Sequence, residues 1–501
     1  KEKIREHNLN RVVVASCTPR THEPLFQETV REAGLNRYLF TMANIRDQCS
    51  WVHMQEKEAA TQKAKDLVRM AVARASLLQP LHELPLELNY GVLVIGGGVA
   101  GMTAALNLAS QGFKVYLVEK ERELGGWLRR IHLPLQGEKP QELLHRLREQ
   151  VQADPLIEVF LGSRVVRSEG FVGNFRTTIA CQEGERVLEH GVTIIATGAG
   201  EYRGAVYHLG EDGRVLSLGD LEEKLASSPS EVAQLKNVAF ILCVRPPELN
   251  KSYCSRICCT VAIKQALRIK QLNPEANIYI LYKDIRTYGF REELYTQARE
   301  QGILFIRYED ERPPQVDLKN GKLSLKALEP SLGEEISLEP DLLILATPVI
   351  PAEDNPELGR IFKVPLTEEG FFHEAHVKLA PVDFACEGIF MCGMAHSPKF
   401  LDEAISQAEA AAGRATTLLS KRRLWVGGVV SQVDREKCVA CLTCLRVCPY
   451  GAPTLEDGLA KIEVAKCRGC GTCVAACPVR AIRLFHYVPE QIMAEVEAML
   501  A

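Results

Sequence analysis

The sequence predicts an α/β protein in which one dinucleotide-binding-type domain is nested inside another, with a small α/β domain ahead of them and a cysteine-rich module behind. Three observations predict this. A complete strand–turn–helix–strand unit carrying Gly96-x-Gly98-x-x-Gly101 opens near Tyr90. A second strand–helix–strand set begins at Lys236, between two halves of the first domain. Eight of the 17 cysteines repeat one phrase near the C-terminus, Cys438-x-x-Cys441-x-x-Cys444-x-x-x-Cys448-Pro and Cys467-x-x-Cys470-x-x-Cys473-x-x-x-Cys477-Pro.

Residues 1–85 form the first expected domain. The β-branched run from Arg11 to Ser16 predicts a short buried strand. Helices are expected over 24–33 and 56–78, the second with Ala60, Ala64, Leu67, Met70, Ala71 and Arg74 at helical spacing. Pro80 and Pro85 then mark a linker.

The next domain is expected over 86–200 and 375–425. Gly91–Ile95 reads as a strand, 102–111 as a helix and Lys114–Glu119 as a second strand. Glycines at 96, 98 and 101 let the backbone approach a pyrophosphate at the helix N-terminus, and Glu119 can accept hydrogen bonds from ribose hydroxyls. The alternative is an empty doubly wound domain; strand, helix and acid together argue against it. Three further stretches favour FAD over NAD: the pair Gly125-Gly126 after the second strand, a strand ending Ala-Thr197-Gly198, and a late strand ending at Gly393 ahead of an alanine-rich helix over 401–419. These resemble the flavoproteins of the thioredoxin reductase type, which have two dinucleotide-binding domains. In that group the last strand usually ends Gly-Asp. Here Met394 stands in place of the Asp, which leaves the ribityl contact unassigned and argues against an ordinary thioredoxin reductase.

Residues 201–374 occupy the place of an NAD(P)H domain in such proteins. Lys236–Leu242 and Asn277–Leu281 read as strands and 262–272 as a helix. At the first turn, however, the sequence is Cys243-Val-Arg-Pro246-Pro247, and no glycine lies between Gly219 and Gly289. Prolines remove backbone donors and the missing glycines remove close approach, so NAD(P)H binding is not expected here. The same turn brings Cys243, Cys254, Cys258 and Cys259 just before the helix. Four thiolates in so short a stretch suit one iron–sulfur cluster of unusual spacing; buried structural cysteines are the alternative. Cys181, Cys386 and Cys392 have no partners at ligand spacing and read as core residues of strands.

Residues 426–501 have the spacing of a two-cluster bacterial ferredoxin. The fourth cysteine of each run crosses over, so one [4Fe–4S] cluster takes Cys438, Cys441, Cys444 and Cys477, and the other Cys467, Cys470, Cys473 and Cys448. Zinc is the alternative, but zinc ribbons need neither the third cysteine at this spacing nor the following proline.

Whole-chain properties narrow the setting. The 501 residues are 46% apolar and 25% charged, as in globular proteins, and a net charge of −4 carries no nucleic-acid footprint. No stretch approaches a membrane span and no signal peptide is visible. Seventeen cysteines without a secretory signal suggest metal ligation in a reducing, anaerobic cytoplasm. The start at Lys1, without Met, suggests that preceding residues are missing.

Four stretches carry a more specific resemblance: Val14-Ala-Ser-Cys-Thr-Pro-Arg-Thr-His-Glu-Pro24, Val-Ile-Gly-Gly-Gly-Val-Ala-Gly at 94–101, Tyr253-Cys-Ser-Arg-Ile-Cys-Cys259 and the ferredoxin-type tail. In this order they closely resemble the A subunits of heterodisulfide reductases, which are flavin-based and electron-bifurcating, over essentially the whole chain. The resemblance implies a non-standard [4Fe–4S] cluster on Cys243, Cys254, Cys258 and Cys259 near the flavin. It also implies an N-terminal cluster that Cys17 and Cys49 would serve in part, with two buried thiols as the alternative. As partners it implies the B and C subunits of such a reductase, ferredoxin, and an electron-input module such as a hydrogenase, formate dehydrogenase or small iron–sulfur adaptor. A homodimer within a larger complex is also expected. Lys399, in the loop after the last strand, could stabilise an anionic reduced flavin; a surface lysine is the alternative. The expected function is FAD- and iron–sulfur-dependent electron transfer with bifurcation. A non-bifurcating electron hub and an NAD(P)H–ferredoxin oxidoreductase are the alternatives.

Overall fold

The structure is a computed structural model that describes residues 1–134, 139–246, 249, 253–319, 321–331, 333–421 and 423–501. It divides into two compact units, one of Lys1–Glu87 with Arg422–Ala501 and one of Leu88–Lys421.

The larger unit contains the same layout twice. Its first sheet is parallel throughout, in the order Ile389–Met391, Val192–Ile195, Val92–Ile95, Val115–Val118, Ile157–Phe160. The second sheet is also parallel, in the order Val215–Ser217, Leu342–Leu345, Asn237–Ile241, Asn277–Tyr282, Leu304–Arg307. Central strands such as Val92–Ile95 and Leu342–Leu345 are buried along their whole length, as parallel strands covered on both faces must be. Each sheet has a three-stranded antiparallel meander between its outermost strand, Ile157–Phe160 or Leu304–Arg307, and the strand that returns to the centre: Arg164–Phe171, Asn174–Cys181 and Gly184–His190 in the first half, Gln315–Lys319, Lys322–Glu329 and Glu334–Leu338 in the second. The chain enters and leaves the inserted half through an antiparallel pair, Ala199–Glu201 with Val349–Pro351.

This duplication makes the two first turns directly comparable. In the outer half, four residues separate the end of strand Val92–Ile95 from the helix Val99–Ser110, counting to its first residue. In the inserted half, strand Asn237–Ile241 is followed by a long excursion before helix Cys258–Leu272 begins. Both helices start earlier than the sequence suggests, the first at Val99 and the second on Cys258 itself.

In the smaller unit, parallel strands Val12–Ser16 and Phe40–Asn44 pack under helix Lys57–Ser76. The helix expected over 24–33 instead spans Pro19–Glu32, because Pro19 at its first position is already set for helical φ. Pro24 sits inside that helix and forgoes one backbone hydrogen bond. Strand Glu83–Glu87 pairs antiparallel with Arg423–Gly427, and helix Pro489–Leu500 packs on Lys57–Ser76. The tail module itself is two antiparallel pairs, Ser431–Val433 with Ile482–Leu484 and Pro453–Glu456 with Leu459–Ile462, and two short helices, Thr443–Val447 and Thr472–Ala475.

Candidate redox site

The glycines at 96–101 are required by packing at two positions and by an open face at a third. A Cβ on Gly96 would lie 2.3 Å from the Ala196 carbonyl oxygen, and one on Gly101 only 1.8 Å from that of Gly96. Gly98 is different: its φ is −74° and a Cβ there meets nothing within 4 Å. The second glycine pair closes onto this face, with Gly125 donating from its N–H to the Gly97 carbonyl at 2.8 Å and a Gly126 Cβ falling 3.3 Å from Gly98 Cα. Gly393, at φ +67°, abuts Ala100, where a Cβ would lie 2.7 Å from the alanine methyl. Glu119 is buried and accepts from the N–H groups of Gly97 at 2.5 Å and Glu121 at 2.8 Å. Thr197 Oγ1 donates to Asn355 Oδ1 at 2.9 Å, and Gly198 takes φ +70°. A narrow backbone cradle at a helix N-terminus, with a fixed acid at the second strand's end, fits the adenine-dinucleotide part of FAD.

The equivalent turn in the inserted half holds thiols. Cys243 has a left-handed φ of +57°, and its Sγ donates to the Asp284 carbonyl at 3.9 Å. Cys259 Sγ reaches the same oxygen at 3.7 Å. Cys258 and Cys259 hydrogen-bond to each other, which with burial raises Cys258, while the same bond lowers Cys259. The Arg256 N–H donates to Cys254 Sγ at 3.2 Å. Cys243 and Cys259 thus meet at one carbonyl with Cys258 beside them, Cys254 is near enough to act on Cys243 by charge, and Cys243 is raised chiefly by burial. Pro247 lies outside the described residues. By strand register the position equivalent to Glu119 is Tyr282, since the Gly96 N–H bonds the Val118 carbonyl and the Leu242 N–H that of Leu281; the acid that would serve a nicotinamide ribose is absent from it.

Between these features lies a cavity of about 480 Å³ whose wall includes Trp127, Thr347, Met394, Lys399, Cys258 and Lys264. Lys399 therefore faces a cavity rather than open solvent, and burial, then the Arg256 cation, lower it to about 8. The buried pair Lys264–Glu222, at 3.0 Å, escaped the sequence reading. Glu222 also accepts from the N–H groups of His132 and Leu133 and from Gln265. A lysine among apolar residues of helix Cys258–Leu272 was its one local signal.

In the tail module the eight cysteines surround two separate cavities. Cys438, Cys441, Cys444 and Cys477 line one; Cys448, Cys467, Cys470 and Cys473 line the other. Backbone N–H groups reach the crossing sulfurs in matching fashion, Ala452 to Cys448 at 3.4 Å and Ala481 to Cys477 at 3.2 Å. The left-handed residues Leu442 and Gly471 recur at the same place in the two runs. Among the described residues no group of three or more His, Cys, Asp or Glu is arranged to hold a single metal ion. Four thiols ringing each cavity, with N–H donors to sulfur, fit cubane clusters.

Other expectations fare differently. Cys17 meets the Arg46 guanidinium at 3.5 Å, which lowers its pKa, whereas Cys49 is buried and donates to the Ala60 carbonyl. Among the described residues no hydrogen bond joins the two. Cys392 is fully buried directly after strand Ile389–Met391, with burial raising it to about 12. Cys181 ends its strand half-buried. Cys386 is not a strand residue: it lies half-buried in a bend, where its Sγ bonds the Lys363 carbonyl, because the chain there is still turning toward strand Ile389–Met391. No helix among the described residues is long and apolar enough to cross a membrane.

Comparison with known proteins agrees with this geometry. The family described as pyridine nucleotide-disulphide oxidoreductase matches residues 90–231, and the 4Fe-4S dicluster domain matches residues 431–478. The first match ends before the Cys243 turn. Fold and sites together define an iron–sulfur flavoprotein oxidoreductase. The chain is 35% identical to the A subunit of the H(2):CoB-CoM heterodisulfide,ferredoxin reductase of Methanothermobacter thermautotrophicus, over 99% of this chain and 89% of that protein. It is 34% identical to the iron-sulfur A subunit of the CoB–CoM heterodisulfide reductase of Methanocaldococcus jannaschii, over 100% and 91%. The chain belongs to the family of heterodisulfide reductase A subunits, and is an electron-transfer subunit of that kind. The alignment with the first relative spans 592 positions, more than the chain's 501 residues, so that relative has segments this chain lacks. Among solved structures, the thioredoxin reductase of Lactococcus lactis covers 66% of this chain and 99% of its own, with 19% identity and a TM-score of 0.47.

Proposed function

We propose that this protein performs flavin-based electron bifurcation: FAD takes two electrons and passes them singly to two acceptors of different potential, one of them ferredoxin. One observation carries the reading. Lys399 and Met394, from the loop after the outer half's last strand, line the same cavity as Cys258, at the turn that no longer suits a nicotinamide. An FAD ring directed to that cavity would have a one-electron carrier on Cys243, Cys254, Cys258 and Cys259 as its neighbour in place of a hydride donor.

In this reading Gly96, Gly98, Gly101, Gly125, Gly126, Thr197, Gly198, Gly393 and Glu119 hold FAD, and Lys399 tunes it by charge. The tail cavities hold two [4Fe–4S] clusters with crossed ligation. Cys17 and Cys49 contribute to an N-terminal cluster whose other ligands lie elsewhere. The partners are the B and C subunits of the heterodisulfide reductase type, ferredoxin and an electron-input module. The relative named above is itself described as part of a heterodisulfide, ferredoxin reductase, which favours two acceptors.

Spectroelectrochemical titration of the FAD tests this. Bifurcation requires crossed one-electron potentials, the second electron leaving at a lower potential than the first. Well-separated potentials in the ordinary order would instead make the protein a one-path electron hub. Rapid bleaching by NADH or NADPH would make it a nicotinamide–ferredoxin oxidoreductase.

A further inference from the structure

Beside Lys399 is a half-buried chain of titratable groups. Lys399 Nζ lies 3.2 Å from His396 Nδ1 and donates to Ser397 Oγ at 2.8 Å. His396 Nε2 lies 2.9 Å from Glu374 Oε2. Glu374 is partly exposed and flanked by the exposed His373, so this end of the chain reaches solvent. A glutamate acceptor at Nε2 fixes the Nε2–H tautomer of neutral His396 and leaves Nδ1 as its one acceptor. Two donors face that single lone pair: Lys399 Nζ, and Gln407 Nε2 at 2.9 Å. Gln407 Oε1, meanwhile, is buried with no hydrogen-bond partner.

The surplus donor and the orphaned acceptor have one common resolution. Rotating the Gln407 amide by half a turn exchanges its oxygen and nitrogen. Its oxygen then accepts from Nδ1–H of a protonated His396, while Nε2–H still bonds Glu374. The one amide can thus face either protonation state of this imidazole.

We propose that Lys399, His396 and Glu374 form a proton relay between the flavin cavity and solvent, with Gln407 accommodating the charged and neutral forms of His396. The inference rests on the proposed function. Oxidising the two-electron-reduced flavin balances as FADH⁻ → FAD + 2 e⁻ + H⁺. Where a nicotinamide accepts, proton and electrons leave together as hydride. Iron–sulfur clusters accept electrons alone, so here the proton must leave by another route. Lys399 Nζ hands a proton to His396 Nδ1 and takes the flavin proton in its place, and the Nε2 proton of His396 moves to Glu374 and on to solvent; reduction runs the chain backwards.

The electrostatics suit this traffic. Lys399 faces Arg256, Glu403, Glu374 and the Cys392 thiol; burial and Arg256 bring it to about 8, close to neutrality. Burial, then the Lys399 charge, lower His396, against the raising effect of Glu374, with His373 also nearby. Burial works to raise Glu374, but its own backbone N–H and the His396 bond outweigh it, so the carboxylate stays ionised and ready to accept.

The test is proton release by the FAD-loaded protein, photoreduced and then reoxidised by ferricyanide with a pH indicator present. FAD stoichiometry is measured first. His396→Gln keeps a donor to Glu374 but cannot pass a proton; it should slow proton release by roughly tenfold to a hundredfold at parental FAD content. His396→Ala should be slowed likewise and recover with added imidazole. Nitrogen NMR of the protein should show the Nε2–H tautomer at His396, lost in Glu374→Gln. Parental proton release in FAD-loaded His396→Gln, absence of imidazole rescue, or an Nδ1–H tautomer would each overturn the relay while leaving the flavin assignment intact. A parent protein that takes up no FAD would overturn the proposed function and the relay with it.

Discussion

Arg256 and Glu403 form an ion pair between the loop that leads from Cys254 into helix Cys258–Leu272 and the first turn of helix Leu401–Leu419. The same carboxylate accepts from the Phe400 N–H at 2.9 Å and from the Tyr288 hydroxyl at 3.0 Å. Phe400 follows Lys399 directly, so one glutamate ties the cysteine loop to the loop that faces the cavity.

Removing the charge of Glu403 should therefore be felt at Lys399. Burial is the first cause of its low pKa, the Arg256 cation the second, and Glu403 acts against both. Glu403→Gln leaves Arg256 unneutralised and should push Lys399 below about 8, whereas Arg256→Gln should raise it. Carbon NMR of the labelled lysine side chain across the titration range reads both shifts.

Two glycines of one motif should fail in different ways. Gly101→Ala places a methyl against the Gly96 carbonyl and should cost several kcal/mol of stability, on the order seen for severe overpacking. Gly98→Ala meets no protein atom, so the FAD-free protein should unfold at the parental denaturant concentration. Its FAD affinity should nevertheless fall by about tenfold or more, roughly 1.4 kcal/mol, because the methyl occupies the face the pyrophosphate approaches. Denaturant melts of the FAD-free proteins and FAD binding isotherms separate the two.

Crossed ligation in the tail module can be read from pairs of substitutions. Cys441 and Cys477 line the same cavity, and Cys448 the other. Cys441→Ala with Cys477→Ala should spare one cluster, retaining roughly half of the module's iron as two-cluster ligation requires. Cys441→Ala with Cys448→Ala should damage both. Iron content and electron paramagnetic resonance distinguish the outcomes, and uncrossed ligation would exchange them.

Acid should weaken the larger unit through His190. This ring is fully buried, bonded to Thr177 Oγ1 and the Val192 carbonyl, and burial lowers its pKa from 6.5 to about 4. Above the unfolded value both states are neutral and the residue is silent. As pH falls from 6.5 the unfolded chain takes the proton first, so stability drops until the folded value is reached, by roughly 3 kcal/mol in all. Urea unfolding from about pH 7 to pH 4 should show this slope, and His190→Gln should flatten it.

Motif-bearing parts were legible from residues alone because their chemistry is local. Gly96, Gly98, Gly101 and Glu119 declare a cradle within one strand–helix–strand unit, and the tail cysteines carry their pairing in their spacing. The Cys243 turn was legible by contrast, as a place where glycines were due and thiols stood instead. What stayed hidden depends on distant residues meeting. Glu374 and His396 lie 22 residues apart, Glu222 and Lys264 42, Arg256 and Glu403 147. None has a periodicity or a motif to announce it, since the contacts exist only once two sheets and a crossover are in place. The misplaced start of helix Pro19–Glu32 has a different cause, a proline read as a boundary when another, five residues earlier, already supplied one.

Strand Glu83–Glu87 finds its neighbour in Arg423–Gly427, and this sets an order of events during synthesis. The segment Leu88–Lys421 is continuous and can close its own sheets as it leaves the ribosome. The first 87 residues cannot complete their unit until the far end of the chain arrives. At translation speeds of about 5–20 residues per second that interval is roughly 20 to 70 s. For that time the unit's opening strands and helix are a platform awaiting its other half, and this stage of biogenesis is where a chaperone or a cluster-delivery factor would have most to act upon.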